Sequence, residues 1–335
     1  MVHFPSTPSV TRRLRVLIGL AFTLSLATAG LFKAAVDAAL PRSPLVQRLT
    51  RVEGTAPSAG APADGQAVVY DLGRASRRYL LVVTLVVFLV LRRWVPWRDL
   101  TRRGFRDSRQ RWARLGFGAA MALALIAVYL ALMAGLGHAV WSPDPPGYML
   151  EKTVEYLLLA VIVALAEETF FRGIVFRAML TDWGPCRALV VSSAVYAMLH
   201  CISGSYWTTP GFQPWVGLDL LRAYFTDANG SILPDLRLVV GLFLLGILLS
   251  YLYLRTGSLW ASVGFHSGLV LTSKLMKKMV NRAEGFPSWL LGDYQFLVSG
   301  MACWGILVAV IIAVVAFAPR GALYRRLLRV RREGG

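Results

Sequence analysis

Apolar runs of membrane length alternate with arginine clusters along almost the whole chain, and this alternation constrains the fold more than any other feature. The runs fall near residues 16–35, 79–91 with its flanks, 115–140, 150–180, 187–202, 236–254, 259–276 and 296–318. About 20 consecutive apolar residues span a bilayer as a helix, and within lipid each helix must satisfy its own backbone hydrogen bonds. Hydrophobic residues make up 56% of the 335 and charged residues 16%, where soluble domains carry about a quarter charged. An ordinary soluble domain is excluded. The expectation is an all-α polytopic membrane bundle of about eight transmembrane helices.

The net charge is +18, yet nucleic acid is not the expected partner. The arginines sit between apolar runs, where they set topology and meet anionic lipid headgroups. The densest segment, 92–114, interleaves its arginines with Trp94, Trp97 and Trp112. Together with Arg255 and the basic tail from Arg320 to Arg332, it places both termini in the cytoplasm of a multi-pass protein. Abundant arginine and alanine point to a bacterial inner membrane. Two clusters oppose this arrangement: Arg74, Arg77 and Arg78, and Lys274, Lys277 and Lys278 fall on the outer side. Ala27-Thr-Ala29 resembles a signal-peptide cleavage site, but the run around it is long enough to remain as a first helix. Residues 55–66 read as a flexible loop rich in Ala, Pro, Gly and Ser, and 216–225 as an interfacial helix. Cys186, Cys201 and Cys303 are widely spaced with no CxxC, which predicts buried thiols rather than a disulfide or zinc framework. Three regions follow: N-terminal membrane helices with the loop and basic segment (1–149), a core (150–278), and a last helix with a basic tail (279–335).

The core carries the chemistry. Its first helix contains Glu167-Glu168-x-x-x-Arg172 at the end of an apolar run. Ionisable groups inside a membrane helix are costly and mark function. Glu168 and Arg172 stand at i,i+4 and can pair, which offsets burial of both charges. Glu167 points about 100° away and stays available to handle a proton. Two of the four histidines, His200 and His266, lie within apolar helices. Polar groups in a bilayer seek one another, so the three helices are expected to face one cavity. Tyr196 precedes His200 by four residues and shares its face, as Ser262 does for His266.

Three features in order resemble the CPBP family of intramembrane glutamic endopeptidases, which includes the CAAX prenyl endopeptidases and bacterial Abi-type proteins: Glu167-Glu168-x-x-x-Arg172, Tyr196-Ala-Met-Leu-His200, and His266 in a later apolar helix. The resemblance covers about 150–278. It implies an endopeptidase that hydrolyses a membrane-anchored peptide or protein by glutamate-activated water, with no cofactor and no metal. By that resemblance Glu167, His200 and His266 are catalytic. Glu167 is the general base, His200 a water-positioning group and His266 an oxyanion stabiliser. Glu168, Arg172 and Tyr196 support them. Two positions depart from the family pattern: Tyr196 stands where Phe is usual, and Val270 where Asn commonly follows the last histidine by four residues.

Other readings remain open on the residues alone. Val270 motivates a catalytically weak or inactive scaffold or immunity-type protein of the same fold. Buried Glu and His also mark proton paths, but no inverted repeat is present. Glu167, His200 and His266 could in principle ligate a metal, although the chain has no His-Glu-x-x-His pattern.

Overall fold

A computed structural model of the chain describes residues 9–39, 41–43, 46, 52–53, 69–90, 104–105, 110–200, 206–211, 213–224, 236–292 and 297–317. The architecture is all-α with two small β-ladders. In chain order the elements are α1 (Ser9–Ala27), α2 (Ala29–Ala39), β1 (Val52–Glu53), β2 (Val69–Asp71), α3 (Leu72–Val90), α4 (Arg111–Gly135), β3 (Ala139–Trp141), α5 (Pro146–Glu168), a π-helical segment (Thr169–Phe176), α6 (Arg177–His200), β4 (Trp207–Thr208), α7 (Val216–Tyr224), α8 (Leu236–Thr256), α9 (Leu259–Met279), β5 (Val280–Arg282), α10 (Ser288–Leu291) and α11 (Met301–Phe317). The chain divides into two compact units. One comprises 1–11, 96–198 and 237–335, the other 12–95 and 199–236.

The first unit is built on close helix contacts. A Cβ added to Gly118 of α4 would lie 2.1 Å from the Ala261 carbonyl oxygen of α9, and one on Gly264 would lie 2.1 Å from that of Leu115. One turn further on, a Cβ on Gly268 would stand 3.0 Å from Cβ of Ala122. Lipid supplies no hydrophobic drive between helices, so small residues four apart, which let backbones meet, supply the packing instead. This crossing holds α9, and with it His266, against α4. Helix α9 also packs antiparallel on α5, since the paired residues run from Glu168–His266 to Tyr156–Lys274 and Tyr148–Lys278.

Proline sits at the first helical position of α5, where its missing N–H costs nothing. The expected break at Trp183-Gly-Pro185 is present: Gly184 has φ 76°, a left-handed conformation that suits glycine, and Pro185 follows. The turn between α8 and α9 uses Gly257 at φ 68° in the same way. Ser258 then caps α9, accepting from the Trp260 N–H.

The second unit alters the shape of one expected element. Residues 16–35 do not form a single straight helix, because the helix breaks at Thr28 and the two parts bend by 51°. The Thr28 hydroxyl donates to the Leu24 carbonyl at 2.5 Å, a back-bond that bends helices, and also bonds the Tyr79 hydroxyl. Helix α2 then packs Ala29 and Val36 on Tyr70, Leu72, Val216 and Leu220, beneath an antiparallel sheet ordered β1-β2-β4. Lys33, inside the predicted apolar run, is 1% exposed. It donates to Asp37 at 2.8 Å and to the carbonyls of Thr209 and Gly211 at 3.0 and 2.8 Å, so its buried charge is fully engaged. The helix expected at 216–225 forms as α7.

Among the described residues, α4 and α8 are long and apolar enough to cross a membrane, and a third span is counted if the bent α1–α2 pair is one. Eight spans are not reached by that measure. Helix α5 carries Glu151, Lys152, Glu155, Glu167 and Glu168, α9 ends in lysines, and α11 has only 17 residues. The loop at 55–66, most of the 92–114 segment, Cys201 and the basic tail lie outside the described residues. Of the other cysteines, Cys303 is buried as expected, whereas Cys186 is exposed.

The α4–α9 contact should fail when a side chain is introduced. Gly264→Leu is expected to lower the thermal unfolding midpoint by the equivalent of about 1–3 kcal/mol or more. Gly116→Leu, which meets nothing within 4 Å, should leave it nearly unchanged. Unfolding followed by circular dichroism in detergent compares the two.

Candidate active site

The site is assembled where α5 passes into the π-helical segment. Arg172 lies within that segment and is 1% exposed, and Glu168, the last residue of α5, is 0% exposed. Arg172 Nη1 donates to Glu168 Oε1 at 3.0 Å, the i,i+4 pair the spacing predicts. The π geometry was not foreseen, since no residue type announces it. Such segments, with one extra residue per turn, recur at functional sites.

The guanidinium is gripped on other sides as well. Its Nη2 donates to the Gly246 carbonyl of α8 at 3.4 Å. Its carbon stands 4.5 Å from the Tyr196 ring centroid and 5.8 Å from that of Phe171, contacts that offset desolvation of the cation. Tyr196 and Phe171 meet edge to face at 5.0 Å. Gly246 permits this approach, because a Cβ there would stand 3.0 Å from Cα of Ser193 on α6. Helix α8 also receives the Ser262 hydroxyl at the Leu249 carbonyl, 2.9 Å away. One turn beyond Ser262 on α9 is His266.

His266 completes the group. Its Nδ1 is 2.9 Å from Glu168 Oε1, the oxygen that also accepts from Arg172. Its Nε2 is 3.9 Å from Glu167 Oε2. An ionised Glu168 beside Arg172 is an acceptor only, so Nδ1 carries the proton and donates. The neutral ring then turns the Nε2 lone pair toward Glu167. Nε2 carries a proton as well only in the imidazolium, for which Glu168 is the counter-ion. The Glu167 side chain is 29% exposed while that of Glu168 is 0% exposed. The adjacent carboxylates therefore occupy different environments, and an environment difference of this kind separates acid–base roles.

Five of the six expected residues thus come together within the first unit: Glu167, Glu168, Arg172, Tyr196 and His266. His200 is the last residue of α6 and is half-buried. It belongs to the second unit. Val270 is one turn past His266 on α9, also half-buried. Gly246 was not expected to act on the site. Ser262 was visible as i−4 from His266, but Gly246 had no signal, since its role lies in a backbone carbonyl.

An all-α bundle that buries a carboxylate, a guanidinium and an imidazole on one oxygen, beside a second and more exposed carboxylate, has the components of acid–base hydrolysis within a membrane helix set. Residues 149–272 match the family model described as type II CAAX prenyl endopeptidase Rce1-like. All six residues lie within it. No curated protein and no solved structure matches the chain.

Removing one member of a buried pair leaves the other uncompensated. Arg172→Met is expected to destabilise by about 3–5 kcal/mol, whereas Glu167→Gln, at a partly exposed side chain, should cost far less. Thermal unfolding of the two variants in detergent separates the fully buried group from the partly exposed one.

Proposed function

We propose that the chain is an intramembrane endopeptidase that hydrolyses a peptide bond in a membrane-anchored protein or peptide by means of a glutamate-activated water. The observation that carries this reading is the unequal setting of the two glutamates, with Glu168 fixed between Arg172 and His266 and Glu167 partly exposed beside the same imidazole. The Rce1-like match supports a protease of the CAAX type. It supports a membrane setting too, as do the apolar helices.

In this reading Glu167 takes a proton from water as the water oxygen bonds to the scissile carbonyl carbon. The negative charge moves to the carbonyl oxygen, where His266 donates through Nε2 as an imidazolium balanced by Glu168. Glu167 then returns the proton to the amide nitrogen, the C–N bond breaks, and a carboxylic acid and an amine leave, the acid giving its proton to the amine or to solvent. His200 positions the water. Arg172 and Tyr196 act through Glu168 and are positioning residues. The protein sits in a bacterial inner membrane with both termini in the cytoplasm, and its basic segments meet anionic lipids.

Glu167→Ala and His200→Ala are each expected to abolish cleavage without loss of the fold. The test is a comparison of membrane-peptide fragments, by mass spectrometry, in cells carrying the wild-type chain and in cells carrying each variant. Fragments that persist unchanged in either variant would sink the assignment. A further expectation concerns the oxyanion side. Val270→Asn adds a donor one turn from His266 and should raise kcat, within the roughly 100-fold that a single such donor contributes. An unchanged kcat would leave His266 as the donor on that helix.

A further inference from the structure

The π-helical segment is the least ordinary backbone in the first unit, and its persistence needs a cause. Apart from Arg172, residues 169–176 are weak α-formers: Thr169, Phe170, Phe171, Gly173, Ile174, Val175 and Phe176. Such a composition loosens an α-helix. It does not select the π form, which is rare in proteins and short where it occurs. The selection has to come from tertiary contacts.

Helix α8 supplies them. Gly246, Leu249 and Tyr253 are spaced i, i+3, i+7 and share one face of that helix. The Gly246 carbonyl accepts from Arg172 Nη2 at 3.4 Å. The Leu249 carbonyl accepts from Ser262, one turn before His266, at 2.9 Å. The Tyr253 hydroxyl accepts from Arg177 Nη1 at 3.0 Å. The Tyr253 ring also meets Phe176, the last π residue, edge to face at 6.1 Å, and both rings are fully buried.

Two arginines five residues apart therefore donate to one face of one helix. That pairing is a property of the π form. In an α-helix a step of five residues ends about 140° from where it began. With about one residue more per turn, the same step returns to within roughly 30–50°. Arg172 and Arg177 both address α8 in the π form, and an α-helical segment would carry one of them away. Arg172 in turn holds Glu168 Oε1, which is 2.9 Å from His266 Nδ1. A turn of Arg172 away from Gly246 would thus pass to the carboxylate and from it to the imidazole.

We propose that Tyr253 is a positioning residue of the site: by accepting from Arg177 it holds residues 169–176 in the π form, and so sets Arg172 and Glu168 against His266. Its effect on cleavage rests on the peptidase reading, whereas its effect on the His266 ring does not.

The test uses the purified full-length chain, labelled with nitrogen-15 histidine and reconstituted in lipid vesicles. Nitrogen NMR reads which nitrogen of the neutral His266 ring carries the proton, and His266→Gln identifies its signals. In the wild type the proton is expected on Nδ1. Tyr253→Phe removes the hydroxyl and keeps the ring. It is expected to shift the ratio of Nδ1–H to Nε2–H tautomers by about fivefold toward Nε2–H, the equivalent of one hydrogen bond, with little change in the thermal unfolding midpoint. In an Arg177→Met background Tyr253→Phe should shift the ratio no further, because the donor to the hydroxyl is already gone. If Tyr253→Phe does not fold, Arg177→Met, at a half-buried residue, must show the shift alone.

In cells, membrane-peptide fragments that depend on Glu167 should form about 10-fold more slowly with Tyr253→Phe, against the roughly 100-fold that a misplacement of about 1 Å costs. If no fragment depends on Glu167, the peptidase reading fails, and the tautomer ratio decides the role of Tyr253. An unmoved ratio, additive shifts in the double variant, or Glu167-dependent fragments formed at the wild-type rate would each overturn the proposal.

Discussion

One carboxylate oxygen organises the first unit. Glu168 Oε1 accepts from Arg172 within its own helical strand and from His266 on a helix 98 residues away. In a medium that solvates charges poorly, the carboxylate and the guanidinium are tolerable only together. Their union ties α5, the π-helical segment and α9 to one point. Helix α8 closes the arrangement through the Gly246 carbonyl on Arg172, and Tyr196 brings α6 against the same cation. The electrostatic requirement and the packing requirement are therefore met by the same residues, and a change in either is felt by the other.

The mechanical frame around that point is made largely from small residues. Gly118 and Gly264 let α4 and α9 meet backbone to backbone, and Gly246 does so for α8 and α6. Such contacts leave little slack, so the imidazole of His266 is held by its helix as well as by its hydrogen bond. A rigid first carboxylate beside a more exposed second one suits the proposed reaction, in which the mobile proton and the fixed counter-charge would reside on different groups.

How much of this could be read in advance depends on how far apart the partners are. The i,i+4 spacing gave Glu168–Arg172, and the Gly184-Pro185 break followed from residue types alone. The bond from Glu168 to His266 could only be anticipated as a shared cavity, since spacing across separate helices says nothing about which ring nitrogen faces which oxygen. The break at Thr28 was hidden because hydropathy averages over a threonine whose hydroxyl bends the backbone. Lys33 was hidden for a related reason: two of its three acceptors come from carbonyls 176 and 178 residues later. Gly264 and Gly268, by contrast, stood in the sequence at the spacing that marks a close helix crossing, and went unused. His200 was found as a residue, while its place relative to the glutamates belongs to no pattern in the chain.

The π-helical segment has a consequence for azimuth. Each turn there carries about one residue more than an α-turn, so the helical strand does not keep a single phase from Pro146 to the break at Gly184. Faces counted at 100° per residue are valid for α5 and again after Phe176, but not across the junction. The segment acts as a phase shifter. It lets α5 address α9 through Glu168 while Arg177, beyond it, reaches the Tyr253 hydroxyl of α8 at 3.0 Å, so that one continuous strand serves two neighbours that a uniform helix would present in a different rotation.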